Sequence, residues 1–196
     1  MKKSLIVIIV LVIIGFIGYS WFKGIYNNMV TKSEAVTTQW AQVENVYQRR
    51  ADLIPNLVNT VKGYAEHEKS TLTEVIEARA KATSTTVDAG NLTPAAIQSF
   101  QQAQGGLSQA LGKLMVVVER YPDLKANQNF LELQAQLEGT ENRIAVERKR
   151  FNEVARDYNT YIKLFPKNLL AGMFGFEPKP YFKAVAGAEK APEVNF

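Results

Sequence analysis

The only histidine in the chain, His67, stands between Glu66 and Glu68, and an imidazole between carboxylates has the composition of a metal or acid–base site. Neighbouring residues on a helix point in different directions, however, so these three side chains do not converge. Glu74 and Glu77 do share a helical face, but the Glu-x-x-His companion of di-metal helical proteins is missing. There is no cysteine, which excludes disulfides, thiolate metal ligands and thiol catalysis. One histidine cannot make a two-histidine metal site, and a serine-type triad would rest on His67 alone. We therefore expect no catalytic residue, no cofactor and no metal.

The informative polar residues are Arg50, Asp52, Thr140, Glu141 and Asn142. Arg50 and Thr140 interrupt otherwise apolar helical seams, as Glu147 does further on. A charge in such a seam is unfavourable unless it is paired. We read the five as a structural polar layer that fixes helix register, as buried polar residues do in coiled coils. The functional alternative is a recognition or proton-coupled site.

These residues need long helices to position them. Phe130, Leu137, Ile144, Phe151, Tyr158 and Phe165 recur every seven residues, the spacing of a helical seam that must be buried against neighbours. Trp40, Tyr47, Ile54 and Val61 step in the same way along a first helix from about Tyr26 to Ala65, where Pro55 should bend the run. A turn near Glu66–Ser70 would follow, although a continuous helix through His67 satisfies the pattern too. Thr71 and Glu74 form a capping-box pattern for a second helix ending near Thr83. A third helix has Thr93 as cap and Pro94 at its first position, with Ile97, Phe100, Gln104, Leu107, Leu111 and Leu114 along its seam. Gly105 and Gly106 fit a close helix approach, and Asp123 fits the cap of the last helix. If the first and last helices run antiparallel, facing positions sum to about 190 at equal rise. That register sets Trp40 beside Phe151 and Arg50 beside Glu141, with Asn142 or Asp52 completing the hydrogen bonds.

Residues 5–22, between Lys3 and Lys23, are uncharged and mostly apolar, a run near the minimum length for a bilayer span. No small-x-small cleavage site follows it, so an uncleaved anchor is favoured over a signal peptide. Lys2 and Lys3 bias the N-terminus inward, which puts the body outside or in the periplasm. The chain carries 23 Lys and Arg against 19 Asp and Glu. Three of those lysines flank the apolar run, leaving no basic face for nucleic acid. The expected fold is all-α: residues 1–25 form a transmembrane anchor and residues 26–165 an up-and-down four-helix bundle with long first and last helices. The tail, residues 166–196, holds many aromatics broken by Gly172, Gly175, Pro178 and Pro180. It should pack on the base of the bundle, the membrane surface or a second copy, and its loss should leave helix content largely intact.

Four stretches carry a resemblance to a known family: RRADLIPNLVNTVKGYAEHE from Arg49, RYPDLKANQNF from Arg120, TENRIAVERKRFNEVARDYN from Thr140 and FPKNLLAGMFGF from Phe165. Together with the short anchor and the apolar end Val194–Phe196, they resemble the LemA family over essentially the whole chain. The resemblance implies a membrane-anchored bacterial helical bundle with no established enzymatic activity. Such proteins are often encoded beside membrane proteases or other small membrane proteins, which implies protein partners. Two functions follow: a non-enzymatic membrane-anchored scaffold or adaptor, self-associating or binding partners, or else a cofactor- or metal-binding helical bundle with an enzymatic role. The residue census favours the first.

Overall fold

The structure is a computed structural model that describes residues 2–183. Among those residues it is all-helical: α1 (Lys2–Lys62), α2 (Lys69–Ser84), α3 (Pro94–Val118), α4 (Pro122–Lys125), α5 (Gln128–Lys163) and α6 (Lys167–Phe174). The last part of the tail, including Val194–Phe196, lies outside the described residues.

At 61 residues, α1 joins the apolar run to the first expected helix without a break. Its length is about 90 Å at the usual rise. The boundary expected near residue 25 thus falls inside a helix, since a lone Gly24 beside Lys23 does not stop one. The apolar part is long enough to cross a membrane, and none of it is buried by the rest of the protein. Pro55 is accommodated within α1. A proline has no N–H for the carbonyl four residues earlier, and here Arg79 of α2 donates its Nε–H to that carbonyl, Ala51 O, at 2.7 Å. The missing backbone bond becomes a tie between two helices.

The chain turns after Lys62, so the continuous helix through His67 is excluded. Three sequence expectations about helix ends and packing require correction. Helix α2 already begins at Lys69 and has no side-chain cap, so Thr71 and Glu74 lie inside it, and Glu74 instead pairs with Lys113 at 2.5 Å. Asp123 lies in the short α4, while Asn127 caps α5 by accepting from Phe130 N at 3.0 Å. Pro122 starts a separate helical turn, which moves the true start beyond Asp123. Finally, a methyl group placed on Gly105 or Gly106 would touch nothing within 4 Å, so no helix approaches closely there. The Thr93 cap is as expected, accepting from Ala96 N at 3.1 Å.

Helix α1 lies along α5, α2 lies against α3, and α2 also touches α1. Two apolar clusters result. One is rich in aromatics and gathers Trp40, Tyr47, Phe100, Phe151 and Tyr158. The other is mainly aliphatic and gathers Ile54, Leu57, Leu107, Leu114 and Leu137, with Phe130. Trp40 meets Phe151 edge-on at 5.6 Å between centroids, the antiparallel register that equal rise demands.

The described tail reaches well beyond the base. After α6, Gly175 takes a left-handed conformation (φ 72°) that only glycine adopts freely, and the chain then climbs alongside α5. Asn159 binds this segment at Lys179, accepting from its N–H at 2.7 Å and donating to its carbonyl at 2.8 Å. Asn152, two turns away, holds Phe182 by the same pair of bonds. The Phe182 ring is buried, stacked on Trp40 at 5.7 Å and edge-on to Phe151 at 5.4 Å. The tail thereby completes the aromatic cluster.

Candidate functional site

The two apolar clusters are separated by polar side chains. Tyr47, Phe100 and Ile144 belong to the aromatic cluster, and Ile54, Leu107 and Leu137, each seven residues away, belong to the aliphatic one. Between them on their three helices lie Arg50, Gln104 and Thr140, all buried. Arg50 is 1% exposed. Its Nη1 donates to Glu141 at 2.5 Å and to Ser108 Oγ at 3.0 Å. Its Nη2 donates to Gln104 Oε1 at 2.5 Å and to the Gln104 carbonyl at 3.3 Å. The Gln104 amide in turn donates to Ala82 O, at the end of α2, at 3.3 Å. One guanidinium thus ties α1 to α3 and α5, and Gln104 extends the chain of bonds to α2.

The predicted site residues divide accordingly. The structure brings Arg50 and Glu141 together. Thr140 is buried at this level, but its hydroxyl is used by its own helix, donating to Gln136 O at 2.7 Å. Asp52 turns away and accepts from Gln48 at 2.8 Å, on the exposed side of α1. Asn142 is exposed and lines the neighbouring groove without touching Arg50. The hydrogen bonds expected from Asp52 or Asn142 come instead from Gln104 and Ser108. Gln104 is a polar interruption in the apolar seam of the third helix, and that is the signal which marks it; Ser108 gives none. Glu147, the other seam charge, accepts from Gln39 at 2.7 Å and from Arg150 at 2.8 Å. His67 and Glu66 are exposed in the α1–α2 turn, while Glu68 accepts from Arg120 at 2.9 Å and from the Tyr121 hydroxyl at 3.1 Å.

Above Arg50, α3 and α5 stand apart over an open groove of about 550 Å³. Ser108, Gly112 and Met115 line one wall, and Gln134, Glu138 and Glu141 the other. Glu141 is therefore at once the partner of Arg50 and part of the groove wall, with its side chain 48% exposed. Burial pushes the Tyr47 hydroxyl above its ordinary 10.0, against the opposing pull of Arg148 and Arg50. The Arg50 guanidinium also lies 5.2 Å from the Tyr47 ring centroid, a cation–π contact. Both terminal nitrogens of Arg50 are engaged and its charge is matched by Glu141, so it holds helices rather than offering a free anion site. Among the described residues no group of three or more His, Asp and Glu side chains converges as metal ligands would.

Known proteins match this chain over nearly its whole length. Magnetosome protein MamQ 2 of Paramagnetospirillum magneticum is 31% identical over 201 aligned positions, covering 92% of this chain and 72% of that protein. Magnetosome protein MamQ of Magnetospirillum gryphiswaldense is 30% identical, covering 80% of this chain and 64% of that protein. Protein LemA of Metamycoplasma hominis is 23% identical, covering 87% and 74%. The model of the LemA family matches residues 39–196, a span that begins beside Trp40 and takes in the Arg50 cluster, α5 and the tail. The chain belongs to the LemA family.

Proposed function

We propose that this protein is a non-enzymatic, membrane-anchored helical scaffold or adaptor acting through protein–protein contacts at the bacterial cell envelope. In this reading the four long helices form an up-and-down bundle, and residues 5–22 cross the membrane once. The observation that carries it is the unbroken α1, in which one helix is bare and apolar at one end and buried in the protein core at the other. Such a joint has no linker, so it holds the body at a fixed height above the bilayer, as presenting a surface to partners requires. Both terminal nitrogens of the buried Arg50 are bonded across helices, to Glu141, Ser108 and Gln104, which suits a rigid body. The MamQ relatives are named for a cell structure and not for a reaction, in keeping with this reading. Lys2 and Lys3 favour an external or periplasmic body, and the family resemblance favours membrane proteases or other small membrane proteins as partners.

The test combines topology, partners and metal content. Protease added to intact spheroplasts should digest the body, whereas protection until lysis would reverse the sidedness. Crosslinking in living cells should yield discrete adducts with membrane proteins or with a second copy. Stoichiometric metal or a chromophore on the purified full chain would overturn the scaffold reading in favour of a cofactor-binding role.

A further inference from the structure

Helix α6 has an inner and an outer face. Ala171 and Leu170 pack on the aromatic cluster, and Phe174 reaches α1, with its ring 5.7 Å from Phe22 and 5.1 Å from Tyr26. The outer face is apolar and bare. Leu169 is 59% exposed and Met173 74%, one helical turn apart, and Phe165, just before the helix, is 81% exposed. A helical stripe of this kind calls for an apolar environment.

Its position says which environment. Phe22 is the last residue of the apolar run, so the α6 contact with Phe22 and Tyr26 fixes α6 where α1 would leave a bilayer. The charges nearby agree. Residues 4–33 and 158–176 contain Lys23, Lys32, Lys163 and Lys167, and the first acidic residues beyond them are Glu34, Asp157 and Glu177. Lys167 and Lys32 flank the Tyr161 ring, with Nζ 3.9 Å and 5.6 Å from its centroid. An apolar stripe within a lysine collar matches a surface of acyl chains beneath anionic headgroups. A second copy of this chain packed face to face through the same patch would instead bring its own lysines against these.

We propose that α6, with Phe165, is a second membrane contact: an interfacial helix seated at the headgroup–acyl boundary beside the exit of α1. This rests on the membrane-anchored reading above. An eight-residue helix is too short to bind a bilayer firmly alone, but α1 holds it there, so the contact forms within one molecule. A single spanning helix leaves the body free to tilt against the bilayer. The α6 contact turns one side of the body permanently towards the membrane.

The absence of cysteine makes the test direct. Full-length Met173→Cys, Ile9→Cys and Val116→Cys variants, each carrying one nitroxide label, are reconstituted into phosphatidylcholine–phosphatidylglycerol vesicles. Helix content equal to that of the unmodified chain verifies folding. Collision rates with oxygen and with a water-soluble nickel chelate are then compared. The oxygen-to-nickel ratio at 173 should exceed that at 116, on the exposed side of α3, severalfold, and should not change with the protein-to-lipid ratio. A lipid-like ratio at 9 with a water-like ratio at 173 overturns the α6 contact and leaves the anchor standing. Water-like ratios at both positions overturn both. Protection of 173 from both reagents, with spin–spin broadening that grows with protein density, would assign the face to a second copy and also overturn the proposal.

Discussion

Glu141→Leu removes one ligand from Arg50 and leaves the guanidinium buried. The Glu141 carboxylate is 48% exposed while Arg50 is almost wholly enclosed, so the pair lies between two limits. Exposed ion pairs contribute about 0.2–1 kcal/mol, and breaking a buried pair from one side costs about 3–5 kcal/mol. Gln104 and Ser108 still accept from Arg50 after the change, and the groove admits water, so we expect a loss of about 2 kcal/mol. Arg50→Met is worse, at about 3 kcal/mol, because it strips Gln104 Oε1 of its donor in a buried place. The double variant has no buried charge to leave stranded and should lose about 3 kcal/mol, giving a coupling of about 2 kcal/mol. Urea unfolding of the full chain in mild detergent, followed by far-ultraviolet circular dichroism, would show each 2 kcal/mol as a midpoint shift of about 1 M. If the two losses simply add, the pair contributes nothing, Arg50 is held by α3 alone, and the case for a clasp across α1, α3 and α5 fails.

Three further outcomes follow from the geometry. Phe182→Ala should destabilise the protein by about 3 kcal/mol and expose the tail to protease, since the ring fills the aromatic cluster between Trp40 and Phe151; unchanged melting would place the tail outside the core. Arg79→Met should lose about 1–2 kcal/mol by leaving Ala51 O without a donor, and the loss should shrink in a Pro55→Ala background, where the backbone N–H returns. Because burial raises the Tyr47 pKa above 10.0, the folded state keeps a proton that the unfolded chain loses, so this stability is complete below about pH 10 and declines as pH rises through the folded value. Urea midpoints at about pH 9 and pH 11 should therefore fall less for Tyr47→Phe than for the parent chain.

What the sequence reveals about this protein is its periodicity, and what it hides is whatever depends on groups far apart in the chain. The seven-residue rows place Trp40 against Phe151 and Arg50 against Glu141, because equal rise in two antiparallel helices leaves little freedom once their turns are known. Side-chain direction within a level is less constrained. Asp52 is only two residues from Arg50, yet two residues on a helix is more than half a turn, so it faces solvent and bonds to Gln48. Asn142 follows Glu141 and is carried off the seam in the same way. The true ligands, Gln104 and Ser108, come from a third helix whose phase is not fixed by the first two. The tail is harder still. Its prolines and glycines read correctly as ending the long helices, but they say nothing of where an extended segment will lie. That place is set by Asn152 and Asn159, whose seven-residue spacing on α5 matches the reach between Phe182 and Lys179. An extended segment rises about 3.3 Å per residue and a helix 1.5 Å, so three tail residues span about the same height as seven on the helix. Two asparagines in step with the seam can therefore grip the backbone of a neighbouring extended chain. That pattern becomes readable in the sequence only once the antiparallel climb of the tail is known.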